Sequence, residues 1–285
     1  GLLDINIDPN YAENGWIYLG YTTKAADDNT YLTTLARGRL KDMKWVDNEV
    51  IFKADDKYYS PKGPHYGTRI VFDKDGFLFF SIGDRGFQDQ AQDLTRPNGK
   101  VHRIRPDGSV PEDNPFRDIP GSYPTLWTYG NRNPQGLAFH PATGELWETE
   151  HGPRGGDELN LIRPGINYGW PVITYGMNYN GSPLSDKTHA PGMEQPVHHW
   201  TPSIAVCGLD FYTGSDFPEW ENDIFIGSLR QEELWRFRLE DGKPVQEELV
   251  LKGAGRIRDV YTSPEGHLYL VLNDPGLIMR LVPVK

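Results

Sequence analysis

The sequence predicts an all-β fold of repeated short strands, of the β-propeller kind, and three observations carry that prediction. Short apolar or aromatic runs recur along the chain behind turns that contain Gly or Asn. Turn formers are abundant, with 31 Gly and 23 Pro in 285 residues, beside a 12% share of aromatics that suits short strands better than long helices. No long window keeps helical periodicity over several turns.

The repeating unit reads turn, apolar strand, polar exit. Its copies are Asn14-Gly15-Trp16-Ile17-Tyr18-Leu19, Asp75-Gly76-Phe77-Leu78-Phe79-Phe80, Thr143-Gly144-Glu145-Leu146-Trp147, Glu221-Asn222-Asp223-Ile224-Phe225-Ile226 and Glu265-Gly266-His267-Leu268-Tyr269-Leu270. Several follow a second strand ending in Pro or Asp, as in Ile5-Asn6-Ile7-Asp8-Pro9, Ile70-Val71-Phe72-Asp73 and Leu137-Ala138-Phe139-His140-Pro141. Each pair is a hairpin with one apolar face, and a lone hairpin is marginal in water. Repeating hairpins around an axis buries those faces and limits open edges; a pair of sandwiched sheets is the alternative. No linker divides the chain, so one domain over 1–285 is expected. Residues 178–195, rich in Gly, Pro, Ser and Asn, read as a long loop of the kind that carries function.

Composition excludes some classes of function. The net charge of −11 argues against nucleic acid as the main partner, because phosphate binding needs clustered Lys and Arg. No apolar run is long enough to span a bilayer as a helix. Cys207 stands alone, so no intrachain disulfide forms, and it reads as a buried thiol. Gly1-Leu2-Leu3-Asp4-Ile5 reads as the middle of a strand without a basic leader, so the original N-terminus is expected upstream.

Against that acidic background the arginines stand out. In an extended run Arg256 and Arg258 point the same way and repel each other unless an anion sits between them; pairing with carboxylates such as Asp259 or Glu265 is the alternative. Gly130-Asn131-Arg132-Asn133-Pro134 offers donors on a restricted backbone, or is a polar turn. Glu150-His151-Gly152-Pro153 through Glu158 combines a Gly-Pro bend, which can present successive carbonyls, with a carboxylate; oxygen donors of that kind suit calcium, and an ordinary loop is the other reading. Among the histidines, His65 lies in Gly63-Pro64-His65-Tyr66-Gly67 at a strand entry, a place for a general base.

Taken together these segments resemble the glucose/sorbosone dehydrogenase family, and within it the soluble aldose sugar dehydrogenases. The resemblance runs in order from Gly1-Leu2-Leu3 through Tyr21-Thr22, then through residues 65–69, Ser81-Ile82-Gly83-Asp84-Arg85-Gly86, Ala91-Gln92-Asp93-Leu94 and Asp113-Asn114-Pro115-Phe116. It continues through residues 129–136 and 150–160, Asn167-Tyr168-Gly169-Trp170-Pro171 and Gly255-Arg256-Ile257-Arg258-Asp259-Val260. It implies a six-bladed propeller that binds pyrroloquinoline quinone (PQQ) and calcium and oxidises aldoses at C1 to lactones. The family's first strands lie upstream of Gly1, so part of the first blade is expected to be missing from this chain. The resemblance also implies roles. His65 is the base that removes the anomeric proton, and Arg132 stands beside the reacting quinone oxygen. Asn133, Tyr179, Ser203, Arg230, Arg256 and Arg258 join Arg132 in holding PQQ, with Arg230 where family members typically carry Lys. Gly152 and Pro153 offer carbonyls to an active-site calcium, while Glu158 and Tyr168 match ligands of a calcium site. An aldose, an external electron acceptor and a periplasmic or secreted location complete the expectation. A calcium-dependent lactonase or a non-catalytic binding propeller are the competing functions.

Overall fold

The computed structural model describes residues 1–26 and 29–284. Strands dominate it and form five antiparallel sheets. The first contains β1 (Leu2–Ile7), β2 (Ile17–Lys24), β3 (Thr30–Lys41) and β4 (Lys44–Phe52) in order, with β5 (Ser60–Pro61) on β3. The second is β6 (Ile70–Phe72), β7 (Leu78–Ile82) and β8 (Lys100–Ile104). The third is β9 (Pro134–Phe139), β10 (Leu146–Glu150), β11 (Asp157–Ile162) and β12 (His198–Trp200). The fourth is β13 (Val206–Phe211), β14 (Ile224–Ser228), β15 (Glu233–Glu240) and β16 (Lys243–Lys252). The fifth is β17 (Ile257–Thr262), β18 (Leu268–Asn273) and β19 (Gly276–Arg280).

Each sheet is an up-and-down meander, the blade unit of a propeller. The all-β expectation holds, but the described residues build five blades, not six. The reason is in the repeat. Each of the five hairpin copies forms the turn between the first two strands of one sheet, and there is no sixth copy to nucleate another. The count of six came from the family resemblance and not from the repeat itself.

The chain packs as two compact units. One comprises Gly1–Pro134, Arg163–Pro171 and Pro191–Glu194; the other comprises Gln135–Ile162, Val172–Ala190 and Gln195–Lys285. In the first unit, Leu32 and Leu35 of the first sheet pack with Ile70, Leu78, Phe80 and Ile82 of the second. His102 is stacked on Phe80 at 4.7 Å between ring centroids. Burial lowers its pKa to about 3, so it is a neutral core residue whose nitrogens meet Thr125 Oγ1 and the Pro97 carbonyl. In the second unit, alternation along β14 feeds two cores. Ile224 and Ile226 join Trp147, Leu159 and Phe211 on one side, while Phe225 joins Val260, Leu268 and Leu270 on the other. That is the period-two arrangement of a strand buried on both faces.

Candidate active site

In the first unit, His65 lies between β5 and β6 on a loop that turns sharply. His65 has φ 58°, Gly67 φ 63° and Thr68 φ 79°. The loop packs backbone to backbone on the segment after β7. A Cβ on Gly67 would sit 2.7 Å from the Gly83 nitrogen, and one on Gly83 would sit 2.4 Å from the His65 carbonyl oxygen. Glycine at both positions lets the two segments meet. The contact sets His65 Nδ1 2.6 Å from Asp84 Oδ1.

Asp84 is fully buried and heavily bonded. Its Oδ1 also accepts the Gly86 N–H at 2.7 Å, and its Oδ2 accepts the Trp170 indole N–H at 2.7 Å. Its own N–H donates to the Arg132 carbonyl at 2.8 Å. Burial alone would raise its pKa, but the His65 hydrogen bond, the Gly86 N–H and the Arg132 charge act against it, and the carboxyl is held below its ordinary value. An ionised Asp84 accepts a hydrogen bond from His65 Nδ1–H and leaves Nε2 with its lone pair, the tautomer a general base needs.

The neighbouring predicted residues share this surrounding. Arg132 is 5% exposed, with its guanidinium 5.1 Å from the centroid of the Trp170 ring. Asn133 accepts the Gly67 N–H on Oδ1 at 3.2 Å, so its side chain braces the His65 loop. Tyr168 is buried, and its hydroxyl accepts the Arg163 N–H at 2.9 Å. Trp170 is anchored in turn by Gln92, whose side-chain amide donates to the Trp170 carbonyl at 2.7 Å.

In the second unit, a cavity of about 440 Å³ is lined by His151, Gly152, Pro153, Arg154, Tyr179, Ser203, Ala205 and Arg230. Five of the predicted residues meet there: Gly152, Pro153, Tyr179, Ser203 and Arg230. Tyr179 is 73% exposed, and Arg154 and Arg230 are exposed. Among the described residues neither guanidinium takes a hydrogen bond or an ion pair. Ser203 differs, because its hydroxyl donates to Asp157 at 2.8 Å. Asp157 also accepts the N–H groups of Gly152 (2.9 Å) and Ala205 (2.6 Å), which closes the Gly-Pro loop onto β11 and the start of β13. Gly152 is required there, since a Cβ would lie 2.1 Å from the Gly156 carbonyl oxygen and 2.4 Å from that of Gly155.

Glu158 does not line that cavity. It faces Glu150 across β10 and β11 and accepts Asn160 Nδ2–H at 3.2 Å, and the same amide donates to Glu148 at 3.1 Å. Burial raises the carboxyls of Glu148 and Glu158. Among the described residues no three His, Cys, Asp or Glu side chains are grouped to hold a metal ion.

Arg256 and Arg258 are both half-buried. β17 begins at Ile257, and its register with β18 shifts between Ile257 and Asp259, at Arg258. Arg256 donates to the Leu229 carbonyl at 3.3 Å. Arg258 donates to Gln135 Oε1 at 3.3 Å and approaches Cys207 Sγ at 3.6 Å. Cys207 is buried, as expected.

Residue-by-residue reading missed Asp84, Trp170 and Arg154. All three lie inside the matched segments, but only a partner in space, or the lack of one, sets them apart. Asp84 in Gly83-Asp84-Arg85-Gly86 has the form of an ordinary turn aspartate.

Comparison with known proteins agrees with these motifs. Residues 1–280 match the glucose/sorbosone dehydrogenase family. The aldose sugar dehydrogenase YliI of Escherichia coli is 39% identical over 99% of this chain and 77% of its own length. Quinoprotein glucose dehydrogenase B of Acinetobacter calcoaceticus is 27% identical over 96% of the chain and 73% of its own. A crystal structure of a glucose dehydrogenase superposes with a TM-score of 0.93 at 40% identity, covering 100% of this chain and 83% of that one. The PQQ-bound aldose sugar dehydrogenase of Streptomyces coelicolor gives 0.75 at 30% identity, covering 95% and 73%. On sequence and structure alike, the chain belongs to the glucose/sorbosone dehydrogenase family.

Proposed function

We propose that the protein is a PQQ-dependent, calcium-assisted dehydrogenase that oxidises aldose sugars at C1 to lactones. The observation that carries this reading is the bond between His65 Nδ1 and a buried, ionised Asp84, which makes His65 Nε2 a base. The donor set fits the two groups the family implies. Two uncommitted guanidinium groups and an exposed phenol around one cavity suit a flat polyanion. The glycine cradle at Gly152 suits an ion held by carbonyl oxygens. Arg132, Asn133, Tyr179, Ser203, Arg230, Arg256 and Arg258 would hold the quinone, and the Gly152 and Pro153 carbonyls the ion, with Glu158 and Tyr168 at a further calcium site.

When bound, PQQ supplies a two-electron acceptor and calcium a Lewis acid. The chain does the rest. His65 Nε2 takes the proton of the anomeric hydroxyl, and Asp84 stabilises the imidazolium that results. Arg132, fixed against Trp170, contributes positive charge where negative charge develops. Trp170 and Gly86 keep Asp84 ionised and aimed. An external acceptor is required to return the enzyme to its starting state, and a periplasmic or secreted location accords with the family.

The test is reconstitution of the protein with PQQ and calcium, followed by dye reduction across a panel of aldoses. Reduction that needs both additions is expected. Absence of reduction with every sugar, together with turnover of lactones, would replace this reading with a lactonase.

A further inference from the structure

The loop that carries His65 is held in a conformation its residues do not choose freely. His65 and Thr68 both have positive φ, at 58° and 79°. That region is disfavoured for any residue with a Cβ and most of all for a β-branched one. Such a backbone persists only where its surroundings over-determine it.

The surroundings include an unusual cation. Arg85 is 1% exposed, yet it takes no ion pair among the described residues. Its Nη1 donates to the carbonyls of Pro64 and of Gly63 (3.2 Å), and its Nη2 to that of Pro61 (3.4 Å). The guanidinium carbon lies 3.4 Å from the centroid of the Tyr66 ring. Its Nε is buried with no hydrogen-bond partner. Burial lowers the Arg85 pKa, and Tyr66 and the Asp84 charge offset that only in part, so a cation held there is costly and its contacts need a purpose. They bracket His65, with three carbonyls on the N-terminal side and one ring on the C-terminal side. Asp84 and Arg85 therefore grip one loop at two levels, the carboxylate on the imidazole and the guanidinium on the backbone.

We propose that Arg85 is the positioning residue of the His65 base, clamping the backbone around His65 so that the imidazole meets Asp84 and keeps its outer nitrogen presented. The inference rests on His65 being the base. A planar fork with several donors can span three carbonyls and a ring face; an ammonium or a neutral side chain cannot.

The test uses the full chain carrying Arg85→Met, with Arg85→Lys as a second variant and His65→Ala as the spectroscopic control. Two readouts are taken. In the cofactor-free protein, proton NMR follows the downfield Nδ1–H resonance of His65, assigned by its loss in His65→Ala. In the PQQ- and calcium-loaded protein, kcat per loaded site and KM for an aldose are measured, and PQQ affinity is titrated by absorbance. Arg85→Met is expected to lose or broaden the resonance and to lower kcat by about tenfold or more, with KM and PQQ affinity within about twofold. Added guanidinium ion should restore part of the rate. Should Arg85→Met fail to fold, Arg85→Lys, which keeps the charge, is expected to lower kcat about threefold to tenfold and broaden the same resonance. An intact resonance in a folded variant overturns the proposal, whatever the rate. A wild-type protein that oxidises no aldose, while its resonance still depends on Arg85, would leave the clamp standing and remove the base assignment instead.

Discussion

The surroundings of His65 in the first unit and the cavity beside Arg230 in the second are built on opposite principles. Around His65 the polar groups are already bonded to one another: Asp84 holds the ring, Trp170 and Gly86 hold Asp84, and Asn133 holds Gly67. Around the cavity, Arg154 and Arg230 are exposed and uncommitted, while the Ser203 hydroxyl and the Gly152 and Ala205 N–H groups are tied to Asp157. The difference follows from what each region is asked to do. A base must be aligned before substrate arrives, because alignment achieved during the reaction is charged against the rate. A cation that receives an anionic ligand does better without a protein carboxylate, since that pair would have to be broken first.

The comparison breaks most sharply at His65. His65→Ala is expected to lower kcat by about a hundredfold or more, the usual worth of a general base, while PQQ titrates as in the wild type. Full turnover in that variant would mean the pre-bonded region is merely structural. Arg230→Ala, in the cavity, makes the converse prediction. PQQ affinity should fall by about tenfold to a hundredfold, as for loss of a charge-assisted contact, with kcat per loaded site within about twofold. A drop in kcat without a change in PQQ affinity would erase the division of labour between the two regions.

How much of this was legible in the sequence depended on whether a signal was local. The hairpin copies were, because Asn14-Gly15, Asp75-Gly76 and Glu265-Gly266 announce their turns beside apolar strands, and each marks one blade. Blade number was misjudged only where the family count replaced the repeat count. His65 was found from its Pro and Gly neighbours, but its partner was not: Asp84 lies 19 residues on, and only the Gly67–Gly83 contact brings the two together. The shift in register between Ile257 and Asp259, at Arg258, cannot be read from residue types either. Arg154 was invisible for another reason. Its distinguishing property is a guanidinium with no hydrogen-bond or ion-pair partner among the described residues, which no sequence displays.

Smaller changes sharpen the contrast further. Trp170→Phe removes one donor from Asp84 and keeps the ring beside Arg132. We expect about a threefold to tenfold loss in kcat and about 1–2 kcal/mol in stability, the scale for an acceptor left short of one hydrogen bond. The pH dependence should move with it. Asp84 has a depressed folded pKa, so its stabilisation is present above the unfolded value and is lost as pH falls through the folded one. With a donor gone the folded pKa rises toward the unfolded value, and acid unfolding should begin at higher pH. An unchanged acid midpoint would show that Trp170 does not support the carboxylate.

The smallest effect tests stability away from both regions. Desolvation pushes the Asp210 carboxyl up to about 7, although it accepts the N–H groups of Thr262 (2.6 Å) and Phe211 (2.9 Å). Its folded pKa exceeds its unfolded value of about 4, so between those values the folded protein binds more protons than the unfolded chain. Stability attributable to this group therefore falls as pH rises from about 4 to about 7 and is level above. Asp210→Asn cannot ionise and removes that decline. It also gives up one acceptor, so its melting temperature starts below the wild type at low pH. Between pH 5 and pH 8 the difference should shift in the variant's favour by about 2–4 °C, read by thermal melts of the cofactor-free protein. A difference that stays constant across that range would mean the carboxyl is already ionised at pH 5, and that the two N–H bonds outweigh its burial.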